Sequence, residues 1–137
     1  MFKNQVLQVL LVDADTYTAN EAVGSISQNG HIVDYAGTGF EAIEAIQRVP
    51  YDLVLLDLQL PDQDGFEVTE RIRKLPSHRS QVPIMALAMT QNTDIVRRCY
   101  AVGMCNFVSK PLTTNKLLAV LSFLEFRDAQ KKKFANS

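Results

Sequence analysis

The chain has 137 residues, 47% of them apolar and 21% charged, which suits one soluble core and leaves little room for two. Its 14 basic and 15 acidic residues give a net charge of −1, so composition offers no reason to expect nucleic acid or an anionic membrane as a partner. No apolar run approaches the roughly 20 residues of a membrane-spanning helix, and the opening MFKNQVLQ lacks a signal peptide's apolar core, so a cytoplasmic protein is expected.

The first strand is expected at residues 9–12, VLLV, a run apolar on both faces as in a buried parallel strand, and it runs into Asp13-Ala14-Asp15. A helix should follow within residues 17–29, with Asp15 placed to cap it. Gly24 interrupts that helix at a cost of about 1 kcal/mol relative to alanine. After the turn pair Asn29-Gly30, HIVDY at residues 31–35 is a weaker strand, and Phe40, Ile43 and Ile46 then recur at helical spacing. The third strand, residues 53–56, leads directly into Asp57. Asp64 opens a helix expected over residues 65–75, with Phe66, Val68, Ile72 and Leu75 inward. Residues 84–89 form the fourth strand, and Asn92 or Thr93 opens a helix whose apolar face is Ile95, Cys99 and Val102. NFVS, residues 106–109, is the fifth strand and precedes Lys110-Pro111. In the last helix Leu117, Leu118, Leu121 and Leu124 form a stripe, and Val120, Phe123 and Phe126 widen it beyond the ~100° that core packing needs. The lysine-rich residues 128–137 read as a solvated helix end running into a polar tail or linker, which leaves residues 1–127 as the domain. Cys99 and Cys105 have no metal-type spacing, and Cys99 is expected in the helical core.

Strand and helix alternating five times predict a doubly wound parallel sheet with right-handed crossovers and helices on both faces. In such sheets ligands bind beyond the carboxyl ends of the strands. Asp13, Asp15 and Asp57 fall there, and so does Lys110. The plain reading of a strand-end aspartate is a turn or helix cap, which suits Asp15 well. Asp57 is different, because an acid directly after a buried strand is repelled by its acidic neighbours unless a cation offsets them. A divalent cation and Lys110 are the candidates. That set suits phosphoryl transfer: an aspartate can attack phosphorus to give an acyl phosphate, and magnesium needs only one or two carboxylates besides its waters. An enzyme or flavin carrier on this fold is disfavoured, since there is no glycine-rich phosphate loop and no nucleophilic set of cysteine, serine and histidine. His31 and His78 read as surface residues.

With these residues placed, the sequence resembles the receiver domain of two-component response regulators, over residues 9 to 126. Two stretches carry most of the resemblance: YDLVLLDLQLPDQDGFE, which contains Asp57, and AVGMCNFVSKPL, which contains Lys110-Pro111. It implies a flavodoxin-like sheet of order 2-1-3-4-5 and Asp57 as phosphoacceptor. It also implies Mg²⁺ held by Asp13, Asp57 and the Gln59 backbone carbonyl, Lys110 on the phosphoryl group, and a cis bond before Pro111. The implied donor is a phosphohistidine on a histidine kinase or a histidine phosphotransfer protein. The implied output or homodimer surface lies on the fourth helix, fifth strand and fifth helix. Such a domain is a signalling switch rather than an enzyme, and it contacts neither nucleic acid nor membrane directly.

Three positions depart from the family pattern. Ala14 stands where the family has a second adjacent acid that ligates Mg²⁺ directly, which leaves Asp15 as an outer-sphere charge and predicts weak magnesium binding. Ala88 aligns with the switch serine or threonine, with Thr90 two positions later, and Phe107 takes the place of the switch aromatic, commonly tyrosine. A degenerate receiver that binds partners without phosphorylation is therefore the alternative reading. The stretch MALAMTQNTDIVRRCYAVGMCNFVSKPL is similar in style to receivers fused to hybrid histidine kinases.

Overall fold

Two strands, β1 (Gln8–Val12) and β3 (Leu53–Asp57), are buried on both faces because helices cover the sheet from either side. The computed structural model describes residues 5–89 and 92–135, so Thr90 lies outside the described residues. The remaining elements are α1 (Thr16–Gln28), β2 (Ile32–Ala36), α2 (Gly39–Arg48), α3 (Gly65–Arg73), β4 (Ile84–Ala88), α4 (Thr93–Val102), β5 (Asn106–Ser109) and α5 (Thr114–Ala135). A 3-10 turn at His78–Gln81 joins α3 to β4. All strand pairs are parallel and the order is β2-β1-β3-β4-β5, the doubly wound arrangement the alternation implied.

The two-residue period of the strands divides the core into halves. Leu10, Val12, Val54, Leu56 and Ile84 pack against Ile46, Val68, Ile72 and Cys99 from α2, α3 and α4. Val9, Leu11, Leu55, Met85 and Leu87 pack against Ala22 and Ile26 of α1 and Leu117, Val120 and Leu124 of α5. Register is fixed, since a one-residue slip would exchange the two halves.

The caps fall at residues the sequence offered, and several helix faces and ends differ in detail from the sequence reading. Asp15 caps α1, accepting the N–H groups of Tyr17 and Thr18, and the helix runs through Gly24 unbroken. Asn92, not Thr93, caps α4. Helix α3 ends at Arg73: the N–H groups of Lys74 and Leu75 close short turns onto Arg71 and Ile72, and Pro76 follows. Phe40 is exposed at the start of α2 rather than inward. On α5 the buried stripe is Leu117, Val120 and Leu124, so Val120 belongs to the core whereas Leu118 faces outward. Helix α5 runs on through residues 128–135, because Asp128 to Lys133 are helix-compatible with no glycine or proline to stop them.

Candidate functional site

The carboxyl ends of β1, β3 and β5 bring Asp13, Asp57 and Lys110 together. Lys110 Nζ lies 2.8 Å from Asp57 Oδ2 and 3.1 Å from Asp13 Oδ1. Both acids are nearly sealed from solvent, with Asp13 1% and Asp57 7% exposed. The backbone fixes each of them. The Gln59 N–H donates to Asp57 Oδ1 at 2.9 Å, and the Asp15 N–H donates to Asp13 Oδ1 at 3.0 Å. The Lys110 N–H continues the β4–β5 ladder by donating to the Ala88 carbonyl, and the Lys110-Pro111 bond is cis.

Two close approaches shape the loop after β3. A Cβ on Gly65 would lie 2.7 Å from the Asp57 carbonyl oxygen, so glycine lets α3 begin directly against the end of the strand. Asp62 accepts the N–H groups of Gly39 and Phe40 at 2.9 and 3.0 Å, which ties this loop to the start of α2.

Charge is unevenly shared between the two acids. Burial pushes the Asp13 carboxyl up, but hydrogen bonds from the Asp15 N–H, the Thr18 hydroxyl and Lys110 outweigh it and hold the group below the ordinary 3.8. For Asp57, burial outweighs the Gln59 N–H and Lys110, Asp13 pushes the same way, and the group titrates above 3.8. Burial alone would favour a neutral Lys110, but the two carboxylates more than offset it and keep the ammonium charged.

Beside this cluster opens a cavity of about 400 Å³. Ala14, Asp15 and Thr18 form one wall, and Asp57, Gln59 and Lys110 another. Phe66, Ala88, Met89 and Ile95 form an apolar third side, and the Arg98 guanidinium stacks 4.2 Å from the Phe66 ring centre. Ala88 thus presents only a methyl to the cavity, and Phe107 is half-buried against the core. Asp15 reaches the rim while capping α1. Among the described residues no three His, Cys, Asp or Glu side chains form a metal-binding group. Asp57 and Gln59 line the cavity whereas Asp13 does not, and magnesium needs only one or two carboxylates besides its waters.

The sequence reading missed three contributors. Thr18 donates to Asp13 Oδ2 at 2.8 Å, the Tyr35 hydroxyl donates to the Asp13 carbonyl at 2.6 Å, and Asp62 anchors the loop. Thr18 carried a usable signal, being a hydroxyl one helical turn beyond a strand-end acid. Tyr35 and Asp62 act across 22 residues or more, which no local pattern reveals.

The response regulator receiver domain model matches residues 9–122. The chain belongs to the response regulator receiver domain family. Receiver domains are phosphoaccepting signalling modules of two-component systems, not enzymes in the ordinary sense, and they generally bind Mg²⁺ at this acidic pocket. The chain is 34% identical over 124 residues to hybrid signal transduction histidine kinase B of Dictyostelium discoideum, covering 83% of this chain and 6% of that protein. Against histidine kinase 5 of Arabidopsis thaliana the identity is 33% over 135 residues, covering 80% of this chain and 15% of the kinase. The chain therefore spans a small fraction of either kinase. Among solved structures, the chemotaxis response regulator CheY4 of Vibrio cholerae superposes with a TM-score of 0.80 at 25% identity, covering 88% of this chain and 99% of that one. No helix among the described residues is long and apolar enough to cross a membrane.

Proposed function

We propose that this receiver takes a phosphoryl group from a phosphohistidine onto Asp57. The observation that carries this is the Lys110 ammonium held between Asp57 and Asp13 at the edge of an open cavity. An Asp57 carboxylate oxygen attacks phosphorus, the P–N bond to the donor imidazole breaks, and the imidazole nitrogen keeps the electron pair and takes up a proton. The products are an acyl phosphate and a neutral histidine. Lys110 can follow the transferring oxygens, because it already reaches both acids. Asp13, Asp57 and the Gln59 carbonyl would hold the metal, with Asp15 adding charge from the rim. Magnesium supplies neutralisation of the phosphoryl oxygens when bound, and Ala14 in place of a direct carboxylate ligand makes that binding weak.

The donor is a histidine kinase or a histidine phosphotransfer protein. Added charge at Asp57 biases a switch whose output is muted at Ala88, where no hydroxyl can follow the phosphoryl oxygen, and Phe107 is left as the aromatic part. The output or homodimer surface is the α4–β5–α5 face, where Tyr100, Leu118 and Phe126 are exposed. The intact Asp57–Lys110 contact supports this reading over phosphorylation-independent binding. The test is transfer from a phosphorylated histidine phosphotransfer protein to wild type and to Asp57→Asn. Label should pass to the wild type alone, and labelling of the asparagine variant would remove Asp57 from its role.

A further inference from the structure

Asp13 is one of the acids assigned to the metal, yet it is not among the residues that line the cavity, whereas Thr18 is. Both Asp13 oxygens are engaged from within the protein. Oδ1 accepts the Asp15 N–H and Lys110, and Oδ2 accepts the Thr18 hydroxyl at 2.8 Å. The Thr18 hydroxyl has one proton and two acceptors within reach, since the Asp15 carbonyl lies 3.2 Å from the same oxygen. Turning that proton to the carbonyl would release Oδ2 from its donor, and a small shift of the Thr18 side chain would then open it toward the cavity. The neighbouring wall residue is Ala14, which has no oxygen in its side chain to compete for a cation.

We propose that Thr18 is a positioning residue that covers the Asp13 carboxylate and sets how tightly this site takes magnesium. Its hydroxyl holds Oδ2 while the cation is absent and gives it up when the cation binds. Binding therefore has to displace a charge-assisted hydrogen bond, which adds to the weakening caused by Ala14. The proposal rests on the reading of Asp13 as a metal-site residue.

Magnesium chloride titrated calorimetrically into purified wild type, Thr18→Val and Thr18→Ser tests it. Valine keeps the volume and removes the proton, so Thr18→Val should bind magnesium roughly tenfold tighter, as expected when one hydrogen bond to a charged group no longer competes. Thr18→Ser keeps the hydroxyl and should match the wild type. Thermal unfolding gives a second readout: Thr18→Val should melt below wild type without magnesium, and the difference should close as magnesium is added. Thr18→Ala replaces the valine variant if the latter does not fold. Unchanged or weaker magnesium binding in Thr18→Val, equal tightening in Thr18→Ser, or no magnesium binding by any of the proteins would overturn the proposal. Phosphorylation of Asp57 is scored by mass on the same samples. Label present with affinity unmoved would reject the role of Thr18 alone, and absence of label would count against the functional reading.

Discussion

Lys110 holds together two buried acids that would otherwise repel each other, and its removal is the sharpest perturbation of a single residue. Lys110→Met should destabilise the fold at neutral pH by about 3 kcal/mol, the low end for an uncompensated buried charge. The pH dependence follows from Asp57, whose pKa is already raised above 3.8 by burial and rises further without the ammonium. A carboxyl with a raised folded pKa contributes stability that is present below its unfolded value and lost as pH rises through the folded one. The variant should therefore recover stability on mild acidification, whereas the lowered Asp13 in the wild type contributes stability that is lost as pH falls. Urea midpoints at neutral and mildly acidic pH measure this, and a gap that widens on acidification would contradict it. At the wall of the cavity, Ala14→Asp should restore a carboxylate beside Asp57 and tighten magnesium about tenfold in a calorimetric titration. No change would mean that Asp15 already supplies that charge. Asp13, Asp57 and Lys110 could be read from the sequence because strand ends in a parallel sheet converge. Thr18 left a local trace, a hydroxyl one helical turn beyond Asp13, whereas Tyr35 could not be read, because its role depends on where an edge strand 22 residues away leans.

At the scale of elements, loops are fastened by side chains reaching far along the chain. The Arg73 guanidinium donates to the carbonyls of Gly103, Ser80 and Val82 at 2.7 to 3.1 Å, joining the end of α3, the approach to β4 and the turn after α4. Gly103, at φ 105°, ends α4 in a left-handed conformation and turns its carbonyl toward that guanidinium. Arg73→Met should cost about 2–3 kcal/mol by leaving these carbonyls without a donor, measured by chemical denaturation. A loss within about 0.5 kcal/mol would show that water replaces it. Helices and strands were legible from apolar period, yet their faces were less so. Phe40 and Leu118 fit a helical stripe by spacing and point outward, since spacing fixes relative angles but not which residue lies at the centre of the buried arc.

Across the whole molecule, the strand alternation that divides the core also divides its tasks. One half anchors α1 and α5, and the other carries α3 and α4, whose Phe66 and Ile95 line the cavity. The fold class was legible because buried runs and amphipathic helices alternate without interruption. The residue at which α5 stops was not, since a polar helix end and a polar tail have the same composition. Phe126 is 64% exposed and Leu118 49% exposed on the proposed output face. Phe126→Glu should leave stability within about 0.5 kcal/mol and shift self-association or partner binding toward the free protein in sedimentation experiments. Unaltered association would remove this residue from the interface.

Phosphorylation of Asp57 to an acyl phosphate, in a site built by Asp13 and Lys110, is the step on which the functional reading stands. Intact mass after incubation with magnesium and a small phosphodonor tests it most directly, followed by borohydride reduction to mark the acyl phosphate. A gain of about 80 Da, one phosphoryl group, with the reduced residue mapped to position 57 and no gain in Asp57→Asn, is the expected result. Phosphate retained by Asp57→Asn, or no phosphate on a wild type that binds magnesium, would contradict the account.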